Sequence, residues 1–308
     1  MNPNDWFTAY PSPSRCCTLP RLNLLKCDKL AAAAGLTAEC SSLPNRHLCV
    51  DFSDRIYGGT ITKPKAYPWT AILVYRLNRL KDLYWCGGSL ISDRYVLTAA
   101  HCVNSLNADY ELQSVRLGEW DLESEEDCND IEECNDPPLS VGVEKVIPHA
   151  DFSMLTTYND IALVKLNESV TFTEFMSPVC LPVAEPVKTL DTDGLRFVAA
   201  GWGNTEHKND TTQYGSRYKL HVELNAVNKT FCDVVYPRGV ASSQLCAGAE
   251  AGKSSCHGDS GGALVATVDG YAYGYGIVSY GRACGKEHIP VVYTRVTSFL
   301  DWIEQNMD

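Results

Sequence analysis

Gly258-Asp259-Ser260-Gly261-Gly262 sets a serine hydroxyl in the middle of a glycine-rich turn, late in a chain of 308 residues. Glycine there allows backbone shapes that a side chain would obstruct. A serine is a poor nucleophile at neutral pH and needs a neighbouring base to take its proton. Two upstream segments offer the partners. Thr98-Ala99-Ala100-His101-Cys102 presents a histidine among small residues, and Asp160-Ile161-Ala162-Leu163 presents a carboxylate at the head of an apolar run. In this pattern His101 takes the proton of Ser260 and later returns one to a leaving amine, while Asp160 orients the imidazole and stabilises its charged form. Each segment alone is a weak signal, since Gly-Asp-Ser-Gly occurs in ordinary turns; their joint presence carries the argument.

Outward from these segments, the chain after Ile56 is made of short Val/Ile/Leu/Tyr runs punctuated by Gly, Pro, Asn and Asp. The runs at 70–75, 88–91, 95–98, 161–166, 196–200, 263–268 and 274–280 predict the short strands of an all-β sandwich or barrel. Val296, Phe299, Leu300 and Ile303 recur at helical spacing and predict a C-terminal helix with one apolar face. Residues 1–55 read differently. They hold Cys16, Cys17, Cys27, Cys40 and Cys49 but few alternating apolar runs, too little for a core without disulfides.

Fourteen cysteines in 308 residues fit a disulfide-stapled secreted protein better than a cytosolic one. A zinc site is disfavoured: there is no C-x-x-C, and Cys128 and Cys134 sit in an acidic loop without histidine. Sequons at Asn167, Asn209 and Asn228 are compatible with glycosylation in the secretory pathway. The formal charge of -12, with no basic stripe, argues against a nucleic-acid partner. No apolar run approaches the roughly 20 residues of a membrane span. Met1-Asn2-Pro3-Asn4-Asp5-Trp6 has neither a basic nor an apolar leader region, so the N-terminus is expected to be a truncated form of a secreted precursor.

Taken together, the three segments resemble the chymotrypsin-like serine proteases, whose chain order is also His, Asp, Ser rather than that of subtilisin-like enzymes or α/β-hydrolases. The resemblance covers essentially all of 56–308, the expected peptidase domain. It implies two packed six-stranded antiparallel β-barrels, with the active site in the cleft between them and the C-terminal helix docked outside. It implies an oxyanion hole from the backbone N–H groups of Gly258 and Ser260. Arg55-Ile56-Tyr57-Gly58-Gly59 is similar to the family's activation site, where cleavage after a basic residue frees an Ile56 ammonium that pairs with Asp259. The same alignment pairs Cys86 with Cys102, Cys232 with Cys246, Cys256 with Cys284 and Cys49 with Cys180.

The loop running from Leu117-Gly118-Glu119-Trp120-Asp121 to Cys134, with its own Cys128–Cys134 pair, is similar to that of arthropod clip-domain proteases, which act in extracellular cascades of melanisation and Toll signalling. Residues 1–48 are then expected to be a truncated or degenerate clip region. Glu119, Asp121, Ser124 and Asp127 lie where the family has a calcium loop and offer hard oxygen ligands, so a structural Ca2+ is expected there, with no cofactor needed for catalysis. The resemblance places the substrate pocket at Ser254, Ser255, Ser279, Gly281 and Val291. Ser254 stands where trypsin-like members have Asp, and Val291 where deep pockets have Gly; the expected preference before the scissile bond is a medium neutral residue. The implied function is a monomeric endopeptidase zymogen acting on secreted proteins in an immune or developmental cascade, with an upstream activating protease and a serpin-type inhibitor. The rival is a non-catalytic homologue acting as a cascade cofactor; such proteins usually lose Ser or His, and here the whole triad stands.

Overall fold

The computed structural model describes residues 58–77, 81–104, 110–129, 134–204 and 215–307. Thirteen strands run through them: β1 (Thr60–Ile61), β2 (Thr70–Leu77), β3 (Lys81–Leu90), β4 (Tyr95–Thr98), β5 (Tyr110–Leu117), β6 (Leu139–Pro148), β7 (Ala162–Leu166), β8 (Arg196–Gly201), β9 (Leu220–Val227), β10 (Gln244–Gly248), β11 (Ala263–Val268), β12 (Tyr271–Tyr280) and β13 (Pro290–Arg295). The first barrel closes in the order β2-β3-β4-β7-β6-β5. In the second, β8 pairs both β11 and β9, so β9-β10-β13-β12-β11-β8 also forms a ring, with β1 paired antiparallel to the start of β9. The two six-stranded antiparallel barrels expected from the sequence are therefore present.

Closure leaves neither barrel a long bare edge, and the alternating residues fill the interiors. Leu73, Leu90, Val115, Val141, Val164 and Leu166 fill the first; Phe197, Leu220, Leu224, Leu264, Tyr275 and Tyr293 fill the second. β2 is buried on both faces along Thr70–Tyr75, because its outer side meets Gly201, Trp202 and Gly258 of the second barrel. That seam positions the site.

Short helices decorate the barrels: α1 (Ala100–Asn104), α2 (Lys229–Val235) and α3 (Leu300–Asn306), the last entered through a 3-10 turn at Val296–Ser298. The side chain of Asn228 caps α2 by accepting from the Phe231 N–H, a role open to a short carbonyl side chain just outside a helix. Val296, Phe299, Leu300 and Ile303 are all buried and pack into the cluster of the first barrel. The C-terminal helix thus crosses back from the second barrel and clamps the first.

Cys86–Cys102, Cys128–Cys134, Cys232–Cys246 and Cys256–Cys284 are disulfide-bonded. Cys49, and with it the tether to Cys180, lies outside the described residues, as do the 1–55 segment, the Arg55–Ile56 bond and Asn209. Asn167 and Asn228 are both exposed, as a glycan would require.

Because Ile303 is fully buried under this clamp, Ile303→Ala is expected to cost about 2–5 kcal/mol of unfolding free energy in urea titration, while exposed Glu304→Ala stays within about 0.5 kcal/mol.

Candidate active site

The site lies on the seam, and each of its parts is held by a different element. His101 lies in the first turn of α1, shortly after β4, and Asp160 lies just ahead of β7, the strand paired to β4. The carboxylate makes two contacts with the same histidine: Oδ1 accepts from the His101 backbone N–H at 2.8 Å, and Oδ2 lies 2.8 Å from Nδ1. The ring is thereby fixed with Nδ1 toward the acid and Nε2 away from it. Asp160 is only 1% exposed, and its remaining groups are also occupied. Thr294 Oγ1 donates to its carbonyl at 2.7 Å, and Ser279 Oγ donates to Oδ2.

Ser260 stands in a turn stitched to both barrels. The Gly87 N–H of β3 donates to its carbonyl at 2.8 Å, and the Gly261 N–H donates to Val278 of β12 at 2.9 Å. Gly261 is the tight point. At φ +82° its missing Cβ would fall 2.2 Å from Thr98 Oγ1, 2.5 Å from Gly87 O and 3.2 Å from Ala99 N. Only glycine lets the serine turn seat against the strand end that carries His101. Gly258, at φ +98°, also packs on Gly203, with a Cβ position 3.0 Å from its Cα. Asp259, Gly261 and Gly262 spend their N–H groups on Cys256, Val278 and Asp259, whereas those of Gly258 and Ser260 donate to nothing among the described residues. Two free N–H groups beside the serine are what a developing oxyanion needs.

Asp259 points the other way, into the protein. Its Oδ1 accepts from Gly203 N–H and its Oδ2 from Cys256 N–H, each at 2.8 Å. A Cβ on Gly203 or Gly201 would strike this carboxylate, at 2.3 and 2.7 Å. Burial pushes its pKa up to about 6 against the pull of the two N–H groups, and no cation pairs with it among the described residues. Gly58 is packed so closely on Gly252 that a Cβ would lie 1.8 Å from the Gly252 carbonyl, which fixes the entry of the segment following Ile56.

The five residues expected at the substrate pocket have these surroundings. Ser254 is buried, its Oγ accepting the Gly285 N–H at 2.7 Å, and Ser255 Oγ is 2.9 Å from Tyr293 OH. The buried Val291 side chain reaches to 3.3 Å from where a Gly281 Cβ would be, so it stands across the slot beneath Gly281. Ser279, expected in the pocket wall, turns its hydroxyl to Asp160 and so also supports the histidine.

The four expected calcium ligands are each hydrogen-bonded within the protein. Asp121 is clamped by Arg217, Nε to Oδ1 and Nη2 to Oδ2, each at 2.7 Å. Ser124 Oγ donates to the Glu126 carbonyl at 2.7 Å. Asp127 accepts from the N–H groups of Trp120 and Asp121, at 2.7 and 3.2 Å, and Glu119 accepts from Trp120 N–H at 2.9 Å and from Arg116. Glu119 and Asp127 converge on the Trp120 N–H, while Asp121 is turned to Arg217 and Ser124 to the Glu126 backbone. The sequence reading missed Lys219, Arg217, Gly203 and Thr294. Only Gly203 left a signal, in the run Gly201-Trp202-Gly203 closing a strand.

The trypsin family model matches residues 56–303. Over 99% of its length the chain is 38% identical to CLIP domain-containing serine protease B4 of Anopheles gambiae, covering 83% of that protein. Over 83% of its length it is 41% identical to melanization protease 1 of Drosophila melanogaster, covering 66% of it. The crystal structure of the Drosophila Grass clip serine protease of the Toll pathway superposes with a TM-score of 0.70 at 33% identity, across 87% of this chain and 74% of that one.

The Ser279 hydroxyl touches the acid rather than any reacting atom. Ser279→Ala is expected to lower kcat of the processed protein on a peptide ester about tenfold, the loss of one hydrogen bond to a charged group, and to leave KM nearly unchanged.

Proposed function

Since this chain belongs to the trypsin family, we propose that it is a secreted serine endopeptidase, made as a zymogen and switched on by cleavage at Arg55-Ile56. The observation that carries the proposal is the junction at Gly261, which seats the Ser260 turn against the strand end bearing the Asp160-held His101. Ser260 Oγ attacks the scissile carbonyl as His101 Nε2 takes its proton. The oxyanion is met by the N–H groups of Gly258 and Ser260. The C–N bond then breaks as His101 protonates the amine, and water, deprotonated by the same nitrogen, releases the acyl group. Asp160 keeps Nδ1 protonated throughout.

Activation follows from Asp259. A buried carboxylate held by two N–H groups alone pays for its charge, and an internal ammonium two residues before Gly58 is the cheapest remedy. The cationic end would begin within about 7 Å of Gly58, the reach of two residues. Similarity to a melanization protease and to a Toll-pathway protease supports a place in an extracellular proteolytic cascade, with a protein substrate, an upstream protease and a serpin-type inhibitor as partners. Treatment of wild type with a trypsin-like protease is expected to raise labelling of Ser260 by an active-site phosphonate by orders of magnitude. Arg55→Gln, left uncut before Ile56, is expected to stay silent. No labelling after confirmed cleavage would instead favour a non-catalytic cascade cofactor.

The pocket sets the specificity. Ser254 offers a hydroxyl where a guanidinium would need a counter-charge, and burying an unpaired cation costs several kcal/mol. Val291 shortens the slot beneath Gly281. The residue preceding the scissile bond is therefore expected to be Leu, Met or Val. Measured kcat/KM should fall in the order Leu, Phe, Arg, with the Leu-over-Phe margin within the 1–3 kcal/mol or so that pocket methylenes confer. Val291→Gly should raise the Phe substrate selectively; an Arg substrate winning outright would remove Ser254 from the pocket floor.

A further inference from the structure

We infer, on the endopeptidase reading of the same site, that Arg282 and Arg238 recognise acidic residues lying shortly before the scissile bond of the protein substrate. Arg282 directly follows Gly281, beneath which Val291 shortens the slot for the residue at that bond. Its guanidinium carbon lies 5.5 Å from the centroid of the Tyr236 ring, and its Nη1 donates to the Val235 carbonyl at 2.8 Å. Tyr236 is itself buried and anchored, its hydroxyl donating to Pro290 O at 2.6 Å. It meets Tyr280 edge-on, with the ring centroids 5.5 Å apart. Tyr280 follows Ser279, whose hydroxyl touches Asp160. A run of packed side chains therefore leads from the catalytic acid to Arg282, and the aromatic face holds the charge at the rim of the slot.

Arg238, shortly after Tyr236 in the chain, reaches across to the first barrel, where its Nη1 donates to the Leu155 carbonyl at 3.1 Å. The same loop is fastened again at Thr157, whose carbonyl accepts from Gln244 Nε2 at 3.1 Å, just ahead of Asp160. Both arginines are exposed, and the partner each holds is a neutral backbone carbonyl. Among the described residues neither pairs with a carboxylate. The acids nearest to them in sequence are engaged elsewhere. Asp233 is held by Lys229 at 2.7 and 2.8 Å and by the Val240 N–H at 2.8 Å, and Glu287 lies 3.7 Å from His288 Nε2. A guanidinium presents a planar fork of N–H donors that matches a carboxylate. In a chain of net charge -12, two such forks stand beside the catalytic cleft without an acid of their own.

The bulk charge works against an acidic substrate, which makes the effect separable. Long-range repulsion from the whole protein and local attraction by two arginines both strengthen as salt is removed, but with opposite signs. An acidic peptide favoured at low salt is favoured by the local groups.

The test uses protein cut after Arg55 and peptides that carry Leu before the scissile bond, with either Glu or Gln at the third and fourth positions before it. Cleavage is read as kcat/KM with wild type, and binding as Kd by fluorescence anisotropy with Ser260→Ala. In both, the Glu peptide is expected to lead about tenfold at roughly 20 mM salt and about twofold or less at roughly 0.5 M. With Arg238→Gln/Arg282→Gln added, the order at low salt is expected to reverse, the sign that the bulk charge imposes. Arg282→Lys, which keeps the charge, is expected to keep most of the preference. Equal binding of the two peptides, or a Glu preference that survives the double substitution, would overturn the proposal. A Glu preference in binding, with neither peptide cut by wild type, would overturn the endopeptidase reading and leave the arginine site standing.

Discussion

A carboxylate deprived of water must be answered by fixed dipoles or by a charge, and the arrangement around Asp259 follows from that. Two backbone N–H groups, from Gly203 and Cys256, close on its oxygens, and glycine is required at 201 and 203 because any larger residue would occupy the carboxylate's place. Asp259 immediately precedes Ser260. The direction in which the acid is held inward is therefore the direction in which the hydroxyl is presented outward, and the two free N–H groups flank it for the same reason. Burial keeps the acid's pKa near 6 in the absence of a cation. Relative to an unfolded value near 3.8, protonation favours the fold, so this contribution is complete below about pH 3.8 and disappears as pH rises through about 6. A cation delivered to the same spot reverses that sign. A group that weakens the fold at neutral pH until a new amino group arrives is a natural place for a switch.

Much of this was legible in the sequence because it is locally written. His101, Asp160 and Ser260 announce themselves by the small or glycine residues around them, which exist to let backbones approach, as the 2.2 Å clash at Gly261 makes plain. The strands were legible from short apolar runs, and the C-terminal helix from four residues at helical spacing that all prove buried. What the residues alone could not supply was closure. Strand texture is shared by sandwiches and barrels, and only the resemblance pointed to two rings.

The contacts that the sequence could not show share a physical cause: they depend on a partner far along the chain. The Ser279 hydroxyl meets its partner Asp160 across 119 residues of chain. The acidic stretch from Glu119 to Asp127 looks like a ligand arc so long as its cations are unseen. Arg217 arrives about a hundred residues later, on the segment leading into β9, with the buried Lys219 close behind it, and a lysine in a sequence reads as surface until its burial is known. Spacing can propose hard oxygen ligands; it cannot say that protein donors have already taken them.

The turn at Ser260 is bonded to β3 of one barrel through Gly87 and to β12 of the other through Gly261. It therefore acts as a rivet through the seam, with the C-terminal helix as a strap across it. If the barrels part by even an ångström or two while each remains folded, the nucleophile must leave one side or the other. Catalysis in such a molecule reports on docking rather than on secondary structure. On slow heating, inactivation should run ahead of the loss of β signal, and the gap between the two would measure how much less stable the seam is than the barrels it joins.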